Sequence, residues 1–117
     1  MNTKDAYNYA LSKKAAVYEF KEEWSCSIVR VGGKIFLLEG GEGKINLKCD
    51  PLLAVELREQ FDGIVPGYHM SKAHWNTIAM GSDVSDDELK RMIDHSYQLV
   101  KSGLTKKKQI ELGLLEN

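Results

Sequence analysis

Two cysteines and two prolines are all that 117 residues contain of either type. Cys26 and Cys49 form no C-x-x-C pair, and no histidine stands near them at a spacing that a zinc site uses. They read as reduced thiols that pack as small apolar side chains at the edges of strand-like runs. Long hydrophobic runs are missing as well. None exceeds the four residues of Ile35, Phe36, Leu37 and Leu38, whereas a membrane helix needs about 20 apolar residues and a signal peptide roughly 7 to 15. The expectation is a cytoplasmic protein with no membrane partner. Neither sign of charge prevails: 16 Lys plus Arg face 17 Asp plus Glu, for a net charge of -1 with the three His neutral. A strongly basic protein is thereby excluded.

What the chain does have is 43% hydrophobic and 28% charged residues. At a length near the commonest domain size of about 100 to 150 residues, this fits one domain over residues 1–117. The near-zero balance hides segmentation. Residues 25–48 carry Arg30, Lys34, Lys44 and Lys48 against Glu39 and Glu42, and residues 95–117 are also net basic. Residues 82–94 are acidic. A nucleic-acid surface is therefore confined to a local patch.

Hydrophobic periodicity orders the elements. Thr3 is placed to cap a helix whose stripe is Ala6, Tyr7, Ala10 and Leu11. From Ala16 the period becomes two, with Ala16, Tyr18 and Phe20 on one face of a first strand. Ser27–Val31 and Lys34–Glu39 form a hairpin about Gly32-Gly33, and Gly40, Gly41 and Gly43 turn the chain into Lys44–Lys48. There Ile45 and Leu47 are expected to face inward, and Lys44, Asn46 and Lys48 outward. Asp50-Pro51 starts a helix with Leu53, Leu57 and Phe61 inward, which Gly63 is expected to end in the left-handed conformation. Ile64–Pro66 and Trp75–Met80 read as strands. Ser85 and Glu88 form a reciprocal capping box for a helix with the stripe Leu89, Met92, Ile93, Tyr97 and Val100. Gly103 reads as its left-handed stop, and Thr105 as the cap of a short last helix. This order predicts an α+β fold of two layers: an antiparallel sheet of five to six strands with helices on one face.

The run from Pro66 to Ile78 concentrates polar and aromatic chemistry: Tyr68, His69, Lys72, His74, Trp75 and Asn76 fall within thirteen residues. Here the chain resembles the MmcQ/YjbR family, whose P-x-Y-H-M-x-K-x-H-W-x-T stretch is matched by Pro66, Tyr68, His69, Met70, Lys72, His74, Trp75 and Thr77. The likeness extends to the leading helix, the glycine-punctuated meander, the Ser85-capped helix and Leu104–Lys107. It implies a helix-wrapped antiparallel sheet, similar in topology to type III secretion chaperones and described as a double-wing DNA-binding fold.

Two functional classes fit these residues. In the first, DNA is held weakly and salt-sensitively: Lys72 and His74 meet phosphates, Trp75 stacks on a base, and Arg30, Lys44 and Lys48 extend the patch. Base-specific reading is not expected, because the motif has no arginine and no helix clusters Arg or Asn. In the second, a protein segment or small ligand binds in a groove beside Tyr68 and Trp75, with His69 and Asn76 in the same cluster. The plainer reading gives these residues structural work: aromatics at a core edge, histidines ordering a loop, and a solvated Lys106–Lys108 face. His69 and His74, five apart, share neither a helical nor a strand face, and no metal or other cofactor is expected. Nor is a catalytic constellation recognisable. Ser71 lacks a nucleophile elbow, Asp86 and Asp87 suit a helix first turn, and Gly40-Gly41-Glu42-Gly43 is a turn without the Lys of a phosphate loop.

Overall fold

A computed structural model describes residues 1–67 and 70–116; the expectations for Tyr68 and His69 lie outside the described residues. The order is α1 (Thr3–Leu11), β1 (Ala16–Lys21), a 3-10 turn (Glu22–Trp24), β2 (Cys26–Val31), β3 (Lys34–Glu39), β4 (Lys44–Lys48), α2 (Pro51–Gln60), β5 (Ile64–Pro66), β6 (Trp75–Ala79), α3 (Asp86–Ser102) and α4 (Lys106–Glu111). Among the described residues the strands form one antiparallel sheet of six, in the order β1-β2-β3-β4-β6-β5. The fold is the α+β sandwich that the periodicity predicts.

The hairpin between β2 and β3 turns on Gly32 and Gly33, whose φ angles of 58° and 80° suit glycine far better than any β-carbon residue. Past the turn, the pairing shifts between Val29 and Arg30, so that Val29 meets Leu37 while Arg30 meets Ile35. Phe36 is the extra residue of this bulge. Phe36 and Leu37 both enter the core in consequence, and Phe36 meets the Tyr97 ring edge-on at 5.3 Å between centroids. The core lies between the sheet, through Val29, Val31, Leu37, Ile45, Leu47 and Ile78, and the helices, through Ala6, Ala10, Leu89, Ile93, Tyr97 and Val100. The α3 stripe is buried throughout, as its amphipathic period predicts.

α3 is also bonded into the sheet. Ser96, fully buried, donates its hydroxyl to the Phe36 carbonyl at 2.5 Å and accepts the Lys48 amide at 2.9 Å. One helix hydroxyl thus satisfies two strand groups beside the bulge, which the ladder would otherwise leave unpaired.

Several local expectations change. Asn2, not Thr3, caps α1: its side chain accepts the Asp5 amide, and the Asp5 carboxylate accepts the Asn2 amide in return. At α3 the Ser85 hydroxyl accepts the Glu88 amide, one half of the predicted capping box. α2 ends at Gln60, ahead of the expected stop, with Phe61 in extended conformation as its C-cap, and Gly63 has no positive φ. Gly63 serves close approach instead. A β-carbon there would strike Ser82 Oγ, while Asp83 takes the Asp62 and Gly63 amides at 2.9 Å each. Gly103 closes α3 in the right-handed region at φ -79°, its amide already satisfied by the Leu99 and Val100 carbonyls. In α2, Ala54 is the buried residue, with Leu53 and Leu57 half-buried.

Candidate functional site

Strand alternation sends Cys26, Ile28, Arg30, Ile35, Leu38, Asn46, Lys48, Trp75 and Thr77 to the face away from the helices. Across it, Ile28, Leu38, Asn46 and Thr77 form one row of directly opposed residues. This face was expected to meet water at Asn46. Instead Ile28 is fully buried, and Asn46 and Thr77 are each 3% exposed. Trp24, from the 3-10 turn, and Met70, from the connector between β5 and β6, line a pocket of about 680 Å³ together with Leu38 and Asn46 of that row. Cys26, Ile35, Glu39 and the Gly40-Gly41 turn complete its lining.

Trp24 is itself 55% exposed and carries Lys21 over its ring, with Nζ 4.8 Å from the centroid. The pocket's ionisable groups among the described residues are Cys26 and Glu39. The Cys26 thiol is pushed up by burial and by the Glu39 charge, and its Sγ lies 3.5 Å from the Glu39 carbonyl. It is a poor nucleophile for that reason. The Glu39 carboxylate accepts the Ser27 amide at 2.9 Å. Asn46 Oδ1 accepts the Thr77 hydroxyl.

The polar-aromatic segment divides between this face and the fold. Lys72 and His74 are exposed, and Trp75 is half-buried. Backbone bonds pin both ends of their connector: Gly67 donates to the Trp75 carbonyl and Cys49 to the His74 carbonyl, each at 2.8 Å. Gly67 has no room for a side chain, since a β-carbon would come within 2.7 Å of Trp75 Cβ. Asn76 points the other way. It is 1% exposed on the helix side, where Arg58 Nε donates to its Oδ1 at 2.6 Å. The same guanidinium reaches the Lys72 carbonyl and the Trp75 carbonyl. Alternation alone separates Asn76 from its neighbours in the motif, because Trp75 and Asn76 must face opposite ways in a strand.

Lys48 lies directly opposite Trp75 on the neighbouring strand and is half-buried. Arg30 shares their face but is two strand spacings from Lys48 and three from Trp75, roughly 10 and 14 Å. It is also engaged, with Nε 3.0 Å from Glu19 Oε1 and a second nitrogen 2.9 Å from the Gly33 carbonyl. Lys72, His74, Lys48 and Trp75 therefore gather at one end of the sheet, and Arg30 does not join them.

Two residues of the site carry no strong sequence signal. Arg58 is one basic residue on an amphipathic helix, and nothing in its spacing marks a loop clamp. Trp24 lies in a strand connection whose 3-10 geometry, closed by Ser25 at φ 47°, only the folded chain reveals.

Comparison with known proteins agrees with this architecture. A sequence model of the YjbR family matches residues 11–99. The uncharacterized protein YbdF of Escherichia coli O157:H7 is 39% identical over 85 residues, 70% of either chain. YjbR of Escherichia coli K12 is 28% identical over 101 residues, 84% of this chain and 86% of its own. Among solved structures, Deinococcus radiodurans protein DR2400, described by the domain DUF419, superposes with a TM-score of 0.87 at 28% identity, over 99% of this chain and 91% of that one. A Pseudomonas syringae protein gives 0.73 at 27% identity, over 86% and 99%. Matched in sequence over most of its length and in fold over nearly all of it, the chain belongs to the YjbR family.

Proposed function

We propose that this protein is a binding module that takes a small, largely apolar molecule into the pocket on the helix-free face, without chemical turnover. The pocket itself carries the reading. Its volume of about 680 Å³ lies in the range of small-molecule sites, roughly 300 to 1,000 Å³, and Trp24, Ile35, Leu38 and Met70 line it. A thiol held protonated is a weak basis for covalent chemistry, which favours binding over catalysis. The test is a titration with hydrophobic probes, followed by Trp24 fluorescence and by the methyl resonances of Ile35, Leu38 and Met70. Saturable shifts confined to these groups are expected, and Leu38→Trp, which fills the pocket, should abolish them. Probes that move none of these signals would overturn the proposal.

A second reading rests on a different observation, the clustering of exposed Lys72 and His74 with Lys48 at one end of the sheet. Weak DNA binding through phosphates would use these groups. Apparent affinity would then fall steeply with salt, and Lys72→Ala would reduce the salt slope by about one phosphate contact. Absence of binding to single or double strands at low salt would dismiss it.

A further inference from the structure

Asn46 is the uncharged amide in the lining of a mostly apolar cavity that Glu39 also borders, and its relative exposure is 3%. Its Oδ1 is occupied by the Thr77 hydroxyl. Its Nδ2 has no hydrogen-bond partner among the described residues, where every fully enclosed side-chain nitrogen or oxygen does have one. Nδ2 must therefore open onto the pocket. Gly40 keeps it open: a β-carbon at Gly40 would sit 3.2 Å from Nδ2 and cover it. Gly40 has no positive φ that would itself require glycine.

We infer that the pocket selects uncharged molecules with an apolar body and a single carbonyl oxygen, as in a ketone, ester or amide, which accepts a hydrogen bond from Asn46 Nδ2. This rests on the pocket-binding reading above and adds the ligand class. A carbonyl completes a buried donor that a hydrocarbon leaves unsatisfied. A carboxylate could accept the same bond, but it would enter a cavity with no lining cation among the described residues, beside Glu39. Burying an unpaired anion there is costly, so the neutral acceptor is favoured.

Three probes of nearly equal shape separate these possibilities: cyclohexyl methyl ketone, isopropylcyclohexane and cyclohexanecarboxylate, titrated at neutral pH against the full chain and followed by methyl resonances. The ketone should bind roughly 10-fold more tightly than the hydrocarbon, the worth of one hydrogen bond. The carboxylate should bind more weakly than the ketone by at least a similar factor. Gly40→Ala should abolish the preference, bringing ketone and hydrocarbon to similar affinity. Asn46→Leu should do the same, and if that variant does not fold, Gly40→Ala and the wild-type series still decide. Equal affinities for ketone and hydrocarbon, a preference for the carboxylate, or an unchanged ketone preference in Gly40→Ala would overturn the inference while leaving the pocket's binding role intact. Binding of none of the three would count against both.

Discussion

Arg58 Nε donates to Asn76 Oδ1 across a gap of 2.6 Å, and this bond joins α2 to the strand that ends the polar-aromatic segment. The fork of the guanidinium also holds the Lys72 and Trp75 carbonyls, so a single side chain sets where the connector beneath Met70 runs. Met70, which lines the pocket, lies two residues before the Lys72 carbonyl held in this way.

Replacing Arg58 with Ala should destabilise the fold by about 2 to 3 kcal/mol, since charge-assisted hydrogen bonds are lost and Asn76 keeps a buried acceptor. Arg58→Lys should recover little, because an ammonium cannot reach three acceptors with a planar fork. Urea unfolding of the three proteins checks this. Hydrophobic-probe binding should weaken in both variants even under conditions where they remain folded.

Ser96→Ala should cost about 2 to 3 kcal/mol, more than loss of a hydroxyl usually does. It leaves the buried Phe36 carbonyl and the part-buried Lys48 amide without their partner. Hydrogen exchange offers the sharper readout: the Lys48 amide should lose protection well beyond its neighbours in β4.

Tyr97 separates packing from hydrogen bonding. Its hydroxyl donates to the Lys14 carbonyl at 2.7 Å while its ring meets Phe36. Tyr97→Phe should cost about 1 kcal/mol, and Tyr97→Ala about 3 to 5 kcal/mol, because only the latter opens a cavity. Thermal unfolding of the pair measures the difference.

Stability should fall on the alkaline side. Burial, and then the Asp50 charge, push the Cys49 thiol up from 9.0 to about 11, against an opposing effect of Arg58. Burial, with the Glu39 charge next, pushes Tyr7 from 10.0 to about 12. In each case the unfolded chain loses its proton first. The stabilisation is complete below the unfolded value and is lost as pH rises to the folded one, over pH 9 to 11 for Cys49 and 10 to 12 for Tyr7. For Cys49 the loss is on the order of 2 to 3 kcal/mol. Cys49→Ala should flatten the decline between pH 9 and 11 in urea-unfolding midpoints, and an unchanged slope would contradict this assignment.

Where a structural signal is local, the amino-acid order carried it. The α3 stripe, the Gly32-Gly33 hairpin and the Asp50-Pro51 helix start all depend on neighbours within a few residues, and each takes its expected form. Expected and observed structure part where two local solutions compete. Asn2 and Thr3 are both good caps, and the choice fell to the one whose partner, Asp5, could return the bond. Gly63 and Gly103 looked like left-handed stops, but one is small to admit Ser82 and the other has its amide satisfied in the right-handed region.

By itself the sequence determined the kind and order of elements, the two-layer architecture and the family-bearing segment, because period, capping and turn chemistry are short-range. Only the tertiary structure decided that Asn46 is sheltered and not solvated, that Asn76 turns to Arg58 while Trp75 stays on the helix-free face, and that Trp24 and Met70 enclose a pocket. Those outcomes come from strand register and from contacts between residues distant along the chain. Trp24 and Met70 are far apart in sequence, and no pattern within either segment encodes that they line the same pocket.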